Sequence, residues 1–209
     1  MNQKQLFQAQ VKTTLAPELD AAGFKQSGLT FQRVVGEVVQ VLNLQSSRDG
    51  SQFCVSLGIH LLFLPVAGNS ALGDPRSITE PECEFRRRLA PQGQNDFWWP
   101  FGPAGDESSR SVISVLNLYR EQGQPYFTRF SEFPADFTRV TPATAEADYL
   151  DLFPPCPTEV RRDLALARIY QKLGNTDAAH FFATRGMARV GPAVSLKAAF
   201  RSLLRSSLD

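Results

Sequence analysis

The run EVVQVLNLQSSRDGSQFCVSLGIHLLFL, residues 37–64, decides the fold. Its two apolar-rich segments, 37–46 and 52–64, flank Ser47-Arg48-Asp49-Gly50, which is turn chemistry and predicts a β-hairpin. Pairing Leu44 with Phe53 sets Leu42 against Val55 and Val38 against Ile59, which assembles one continuous apolar face. Because side chains alternate, a slip of one residue would turn that face to solvent, so this register is the one burial favours. The opposite face then carries Asn43, Gln45, Cys54, Ser56 and His60 beside Val39 and Val41.

Residues 29–35 read as a third strand, separated from the hairpin by Gly36. Upstream, Phe7, Val11, Leu15 and Leu19 recur every fourth residue and predict an amphipathic helix ending at Gly23. Pro17 inside it either kinks that helix or starts a second short one. After a Gly/Pro-rich loop, residues 80–89 predict a strand with Glu80, Glu82, Glu84, Arg86 and Arg88 alternating onto one face. Cys83, Phe85, Arg87 and Leu89 fall on the other. The aromatic segment 96–101 predicts a short strand or packed loop under the first helix. A helix from Asp106 or Ser108 through Gln122 follows, with Val112, Ile113, Leu116 and Tyr119 as its buried stripe and Gly123 as its stop. Residues 124–140 are aromatic and irregular.

From Pro142 the pattern is helical, interrupted by the rigid Pro154-Pro155-Cys156-Pro157. Residues 161–192 resemble one tetratricopeptide unit at Leu166, Ala167, Tyr170, Leu173, Gly174, Ala179, Ala183 and Pro192. Such units normally stack in threes or more, so a lone copy predicts a helical hairpin that needs another surface to cover it. A final helix over 195–206 closes it. The fold class expected is α+β: an N-terminal helix, an antiparallel sheet meander with packed helices, then a C-terminal hairpin plus final helix. The domains expected are a body over 1–153 and a helical appendage over 158–209 packed on it.

With 43% hydrophobic and 21% charged residues over 209 positions, the chain can bury a self-sufficient core. The longest apolar run, 57–67, is broken by His60 and Pro65 and falls short of the roughly 20 residues a membrane span needs. Residues 1–12 are Gln-rich and lack the apolar core of a secretory leader, so a cytoplasmic location is expected. Three cysteines without a close pair fit reduced thiols, and with two histidines no zinc spacing arises, so no metal is expected.

Net charge +1 conceals two ends. Residues 1–157 hold 13 Lys/Arg against 17 Asp/Glu, net −4, whereas residues 158–209 hold 9 against 4, net +5. On the last helix Lys197, Arg201 and Arg205 form a basic stripe opposite Leu196, Phe200, Leu203 and Leu204, the one candidate for phosphate contact. Without interleaved exposed aromatics or a reader motif, nucleic acid is not the expected partner.

Motifs for chemistry fail on their spacing. No phosphate-cradling glycine loop is present, so no nucleotide cofactor is expected. Cys83 has Leu89 where a phosphatase loop needs arginine. Gly68-Asn69-Ser70-Ala71-Leu72-Gly73 has Leu72 where a nucleophile elbow needs glycine.

Gly23-Phe24-Lys25, Phe31 and Arg33, the run Val39-Gln40-Val41-Leu42-Asn43-Leu44-Gln45, Phe53, Leu57-Gly58 and Trp98-Trp99 together resemble the bacterial family catalogued as domain of unknown function 4304. The resemblance covers about residues 1–130 and implies a small α+β domain without an assigned activity; the helical tail lies outside it. The function expected from the residues is a cytosolic binding protein with a protein partner, of the toxin-neutralising immunity type. The alternatives are a hydrolase or transferase using His60 with Asn43, Gln45 and Ser56 on the polar sheet face, and a weak nucleic-acid binder through Lys197, Arg201 and Arg205.

Overall fold

The first helix runs as α1 (Gln3–Gln10), a π-helical turn (Val11–Leu15) and α2 (Ala16–Ala21), in a computed structural model that describes residues 3–66, 71–102, 105–146 and 152–206. Pro17 decides its form. Proline has no N–H to donate, and its ring crowds the carbonyl four residues back. The widened turn relieves that crowding: the Ala16 N–H donates to the Val11 carbonyl, five residues back, and the helix passes through unbroken. Phe7, Val11, Leu15 and Leu19 are all fully buried, as their spacing predicts.

Strands β1 (Lys25–Ser27), β2 (Thr30–Val35), β3 (Val38–Ser46), β4 (Gln52–Leu61) and β5 (Phe85–Leu89) pair antiparallel in chain order. A short β6 (Trp99–Pro100) joins β4 at Gln52 and Phe53. In the central hairpin Leu44 pairs with Val55, Leu42 with Leu57 and Val38 with Leu61. The expected register is thus displaced by two residues, and Phe53 faces Ser46 instead of Leu44. The parity is unchanged, so the faces are those expected. The turn causes the displacement: Ser47 N–H donates to Gln52 O at 2.8 Å, and Asp49 accepts from the Ser47 and Ser51 hydroxyls at 2.6 and 2.8 Å. These bonds hold the Asp49 carboxyl down at about 2. Gly50 supplies the positive φ, 71°, which the closing residue needs.

Residues 80–89 do not form the single strand expected. Glu80–Glu82 is a 3₁₀ turn, and the strand begins only at Phe85. Pro81 cannot donate to a ladder, and Glu82 folds back to accept from the Thr79 amide at 2.8 Å and hydroxyl at 2.6 Å. The three carboxylates therefore form no stripe.

Helix α3 (Gly105–Leu118) continues through a second π-helical turn (Tyr119–Gly123) into α4 (Gln124–Arg129). Pro125 stands where Pro17 did, and Gln124 N–H again reaches five residues back, to Tyr119. Gly123 is therefore not a stop. The buried stripe is Val112, Val115, Leu118 and Tyr119, whereas Ile113 is 45% exposed. Ser108 and Ser111 occupy the first turns of that stripe because their hydroxyls donate to the carbonyls of Phe101 and Pro100.

The α1–α2 helix packs against α3, and both helices cover the apolar sheet face. Phe7 meets Phe53 at 4.4 Å and Phe101 at 4.8 Å between ring centroids. Gln40 of β3 is a fully buried polar side chain in this core: it donates to the carbonyls of Phe127 and Phe130 at 2.6 and 3.2 Å and accepts from Arg33 at 2.7 Å.

The chain divides into two units, Met1–Ser131 and Glu132–Asp209. The second begins ahead of the Pro154-Pro155 segment and contains 3₁₀ turns at Ala135–Thr138 and Pro142–Thr144, then α5 (Glu159–Lys172), α6 (Thr176–Arg189) and α7 (Val194–Ser206). The hairpin of α5 and α6 turns at Gly174, and Asn175 caps α6 through the Ala178 amide. Tyr170 stacks on Phe182 at 5.7 Å and donates to the Val140 carbonyl at 3.0 Å. Buried Asp163 accepts from Arg185 at 3.0 Å, while Arg162 lies 3.7 Å away. Among the described residues no helix is long and apolar enough to cross a membrane.

Candidate functional site

The sheet face opposite the helices has two halves. Over the first, residues of the 62–84 segment lay Val66, Ile78 and Cys83 against Val39 and Val41, with Leu62 beside them. Gln32 anchors this cover by donating to the carbonyls of Pro75 and Ile78 at 2.7 and 3.2 Å. Gly58 makes room for it: a Cβ there would stand 2.7 Å from Cys83 Sγ. Gly58→Ala is accordingly expected to destabilise the first unit by about 1–3 kcal/mol in urea unfolding. Adding Cys83→Ala should return most of that loss, since the two side chains compete for one space.

His60 lies under the same cover, fully buried. Its Nε2 is 3.0 Å from the Leu64 carbonyl, and its Nδ1 is 3.4 Å from the Glu84 amide nitrogen. A carbonyl only accepts and an amide N–H only donates, so this environment selects the neutral ring protonated at Nε2. Burial lowers its pKa, against a smaller opposing pull from the Leu64 carbonyl. His60 thus ties strand to cover.

The other half is held by Arg88. Its Nη1 donates to Ser56 Oγ at 2.5 Å and lies 2.8 Å from Cys54 Sγ and 3.5 Å from Gln45 Oε1. Asn43 donates to Thr30 Oγ1 at 2.8 Å. Asp96 approaches Arg88 Nε at 3.4 Å, and the Trp98 ring lies 5.8 Å from the guanidinium. The structure therefore gathers Gln45 and Ser56 around Arg88, leaves Asn43 on its strand neighbour, and keeps His60 under the separate cover. The four do not line one open site. Burial raises the Cys54 pKa despite Arg88 and raises that of Glu80 despite Arg86 and Arg88. It also raises Cys83, whose thiol is fully buried.

In the second unit Lys197 is half-buried on α7, while Arg201 and Arg205 are exposed opposite buried Phe200 and Leu203. Gly68 to Ser70, the start of the rejected elbow motif, lie outside the described residues.

An open concavity of the first unit lies elsewhere. A cleft of about 620 Å³ runs beside β5, lined by Arg87, Arg88, the 90–94 turn, Leu118, Glu121 and Gln122. Two devices build it. The alternation of β5 turns Arg87 to the helix side, where its guanidinium lies 5.2 Å from the Tyr126 ring. On the opposite wall, Glu121 and Gln122 belong to the π-helical turn enforced by Pro125. Gln92, Gln94 and Gln122 make the lining rich in amides, each able to donate and accept. Sequence reasoning missed this cleft; the one signal was the concentration of glutamine and arginine in residues 86–94.

No curated protein and no solved structure matches the chain. The model of the family described as Domain of unknown function (DUF4304) matches residues 15–129, from the first π-helical turn to the end of α4, so the sheet, its cover and the cleft all lie within that match and the chain belongs to this family.

Proposed function

We propose that this is a cytosolic binding protein that recognises a protein partner through the cleft beside β5. The observation that supports this reading is the cleft's lining: three glutamine amides, two arginines and one carboxylate in an open concavity. Amides reproduce the donor and acceptor pattern of a peptide main chain, so such a wall suits polypeptide better than an apolar small molecule. Three free thiols, two of them buried, fit a reducing compartment. Toxin neutralisation is the particular form of this reading that the residues suggest, since an immunity partner needs recognition without turnover.

Photo-crosslinking in cells tests it. With the crosslinker in place of Gln92 or Gln122, a discrete protein adduct is expected. With it at Val35, exposed on β2, none is expected. Adducts confined to Val35, or none from the cleft positions, would overturn the reading.

A further inference from the structure

Strand β5 is the last of the sheet: it pairs with β4 along one edge, and the cleft opens beside the other. A strand edge left uncovered is a template for pairing, and proteins blunt it with proline, bulges or charge. Phe85–Leu89 contains no proline or glycine and runs in unbroken register with Val55 to Ile59. Charge is the one device present, as three consecutive arginines.

That device is selective. Antiparallel pairing of β5 with a second copy would set Arg87 opposite Arg87 and Arg86 opposite Arg88, like charges directly opposed. An acidic strand meets no such penalty. Arg86 and Arg88 point to the covered face, where Glu80 and Asp96 already lie near them. Arg87 points the other way, into the cleft, between buried Phe85 and Leu89 on the same face. Phe85 and Leu89 are already fully covered, so a strand added there would bring one of its side chains against Arg87, and the residue that fits at that position is acidic. Glu121 on the far wall limits the charge to one carboxylate and would repel a polyanion such as RNA.

We infer that β5 accepts an extended segment of a partner protein as an added strand, with one acidic side chain of that segment on Arg87. This rests on the cleft being the recognition surface, and it adds the partner's conformation and charge.

The probe is a capped heptapeptide of threonine and valine with a central glutamate. Two controls are the central-lysine version and a version N-methylated at alternate amides. Added to the full chain, the glutamate peptide is expected to slow hydrogen exchange of amides within 85–89 at least tenfold, and the N-methylated peptide to do nothing. Arg87→Gln should weaken binding about fivefold, and Arg87→Glu should reverse the preference toward lysine. Both variants can be checked for folding by their unchanged tryptophan spectra. If the glutamate peptide shifts Gln92, Gln94 and Gln122 without slowing the 85–89 amides, strand addition is wrong and the cleft reading stands. Failure to bind at millimolar peptide overturns the inference, and the crosslinking result then judges the cleft alone. Protection by a single-stranded oligonucleotide in place of the peptide also overturns it.

Discussion

Phe53→Ala is expected to cost the first unit about 3–5 kcal/mol. Phe53 is fully buried where three elements meet: its ring lies 4.4 Å from Phe7 of α1, 5.5 Å from Phe101 and 5.8 Å from Trp99 of β6. Truncation removes the partner of all three rings at once, and the β4 backbone cannot collapse into the void because it is paired with β3 on one side and β6 on the other. A domain's whole stability is about 5–15 kcal/mol, so a loss of this size brings unfolding close to ambient conditions. The reporter is built in: both tryptophans, Trp98 and Trp99, belong to the first unit, so their fluorescence in urea reports on that unit. Phe7→Ala should be costly too, and the double variant less so than the sum, because the two rings share one contact. A midpoint unchanged in Phe53→Ala would show that this aromatic junction is not the core.

What the residues disclosed follows from periodicity. Phe7, Val11, Leu15 and Leu19 marked their helix face, and the alternation through 38–61 marked both sheet faces, because burial imposes those repeats directly. Register was legible only to parity: a shift of two residues keeps every side chain on its face, so hydrophobic pattern cannot distinguish the pairing of Leu44 with Phe53 from that with Val55. The bonds around Asp49 settle it, and they are tertiary detail. Strand β1 left no signal because all three of its residues are exposed. Both proline sites were visible as punctuation, yet whether a proline breaks a helix or widens one turn depends on the packing that holds the two halves in line. The candidate residues Asn43, Gln45, Ser56 and His60 were correctly placed on one face, but their partners come from distant segments: Arg88 from 32 residues beyond Ser56, and the Glu84 amide from 24 beyond His60. The cleft was hidden for the same reason, since its two walls meet only when β5 becomes the sheet's edge.

His60 gives the second large effect, and it separates a structural histidine from a catalytic one. His60→Ala leaves the Leu64 carbonyl and the Glu84 amide without their ring partner and opens a void at a fully buried position, a loss of about 2–4 kcal/mol. The ring also links stability to pH. Its folded pKa lies below the ordinary 6.5 because burial penalises the imidazolium, with the Leu64 carbonyl and Glu82 opposing weakly. Between the folded and unfolded values the unfolded chain binds the proton and the folded chain does not, so acid favours unfolding. The contribution is therefore complete above about pH 6.5 and drains away as pH falls below that, through the folded value. His60→Gln, which cannot titrate, should flatten the fall in urea midpoint between pH 7.5 and 5.5, leaving only what the carboxylates add at the acid end. His180 is exposed on α6 in the other unit, so His180→Gln should leave the tryptophan-monitored profile of the first unit as it was. A His60→Gln profile with the wild-type slope would mean that the ring is solvated in solution and free to act as a base on that face.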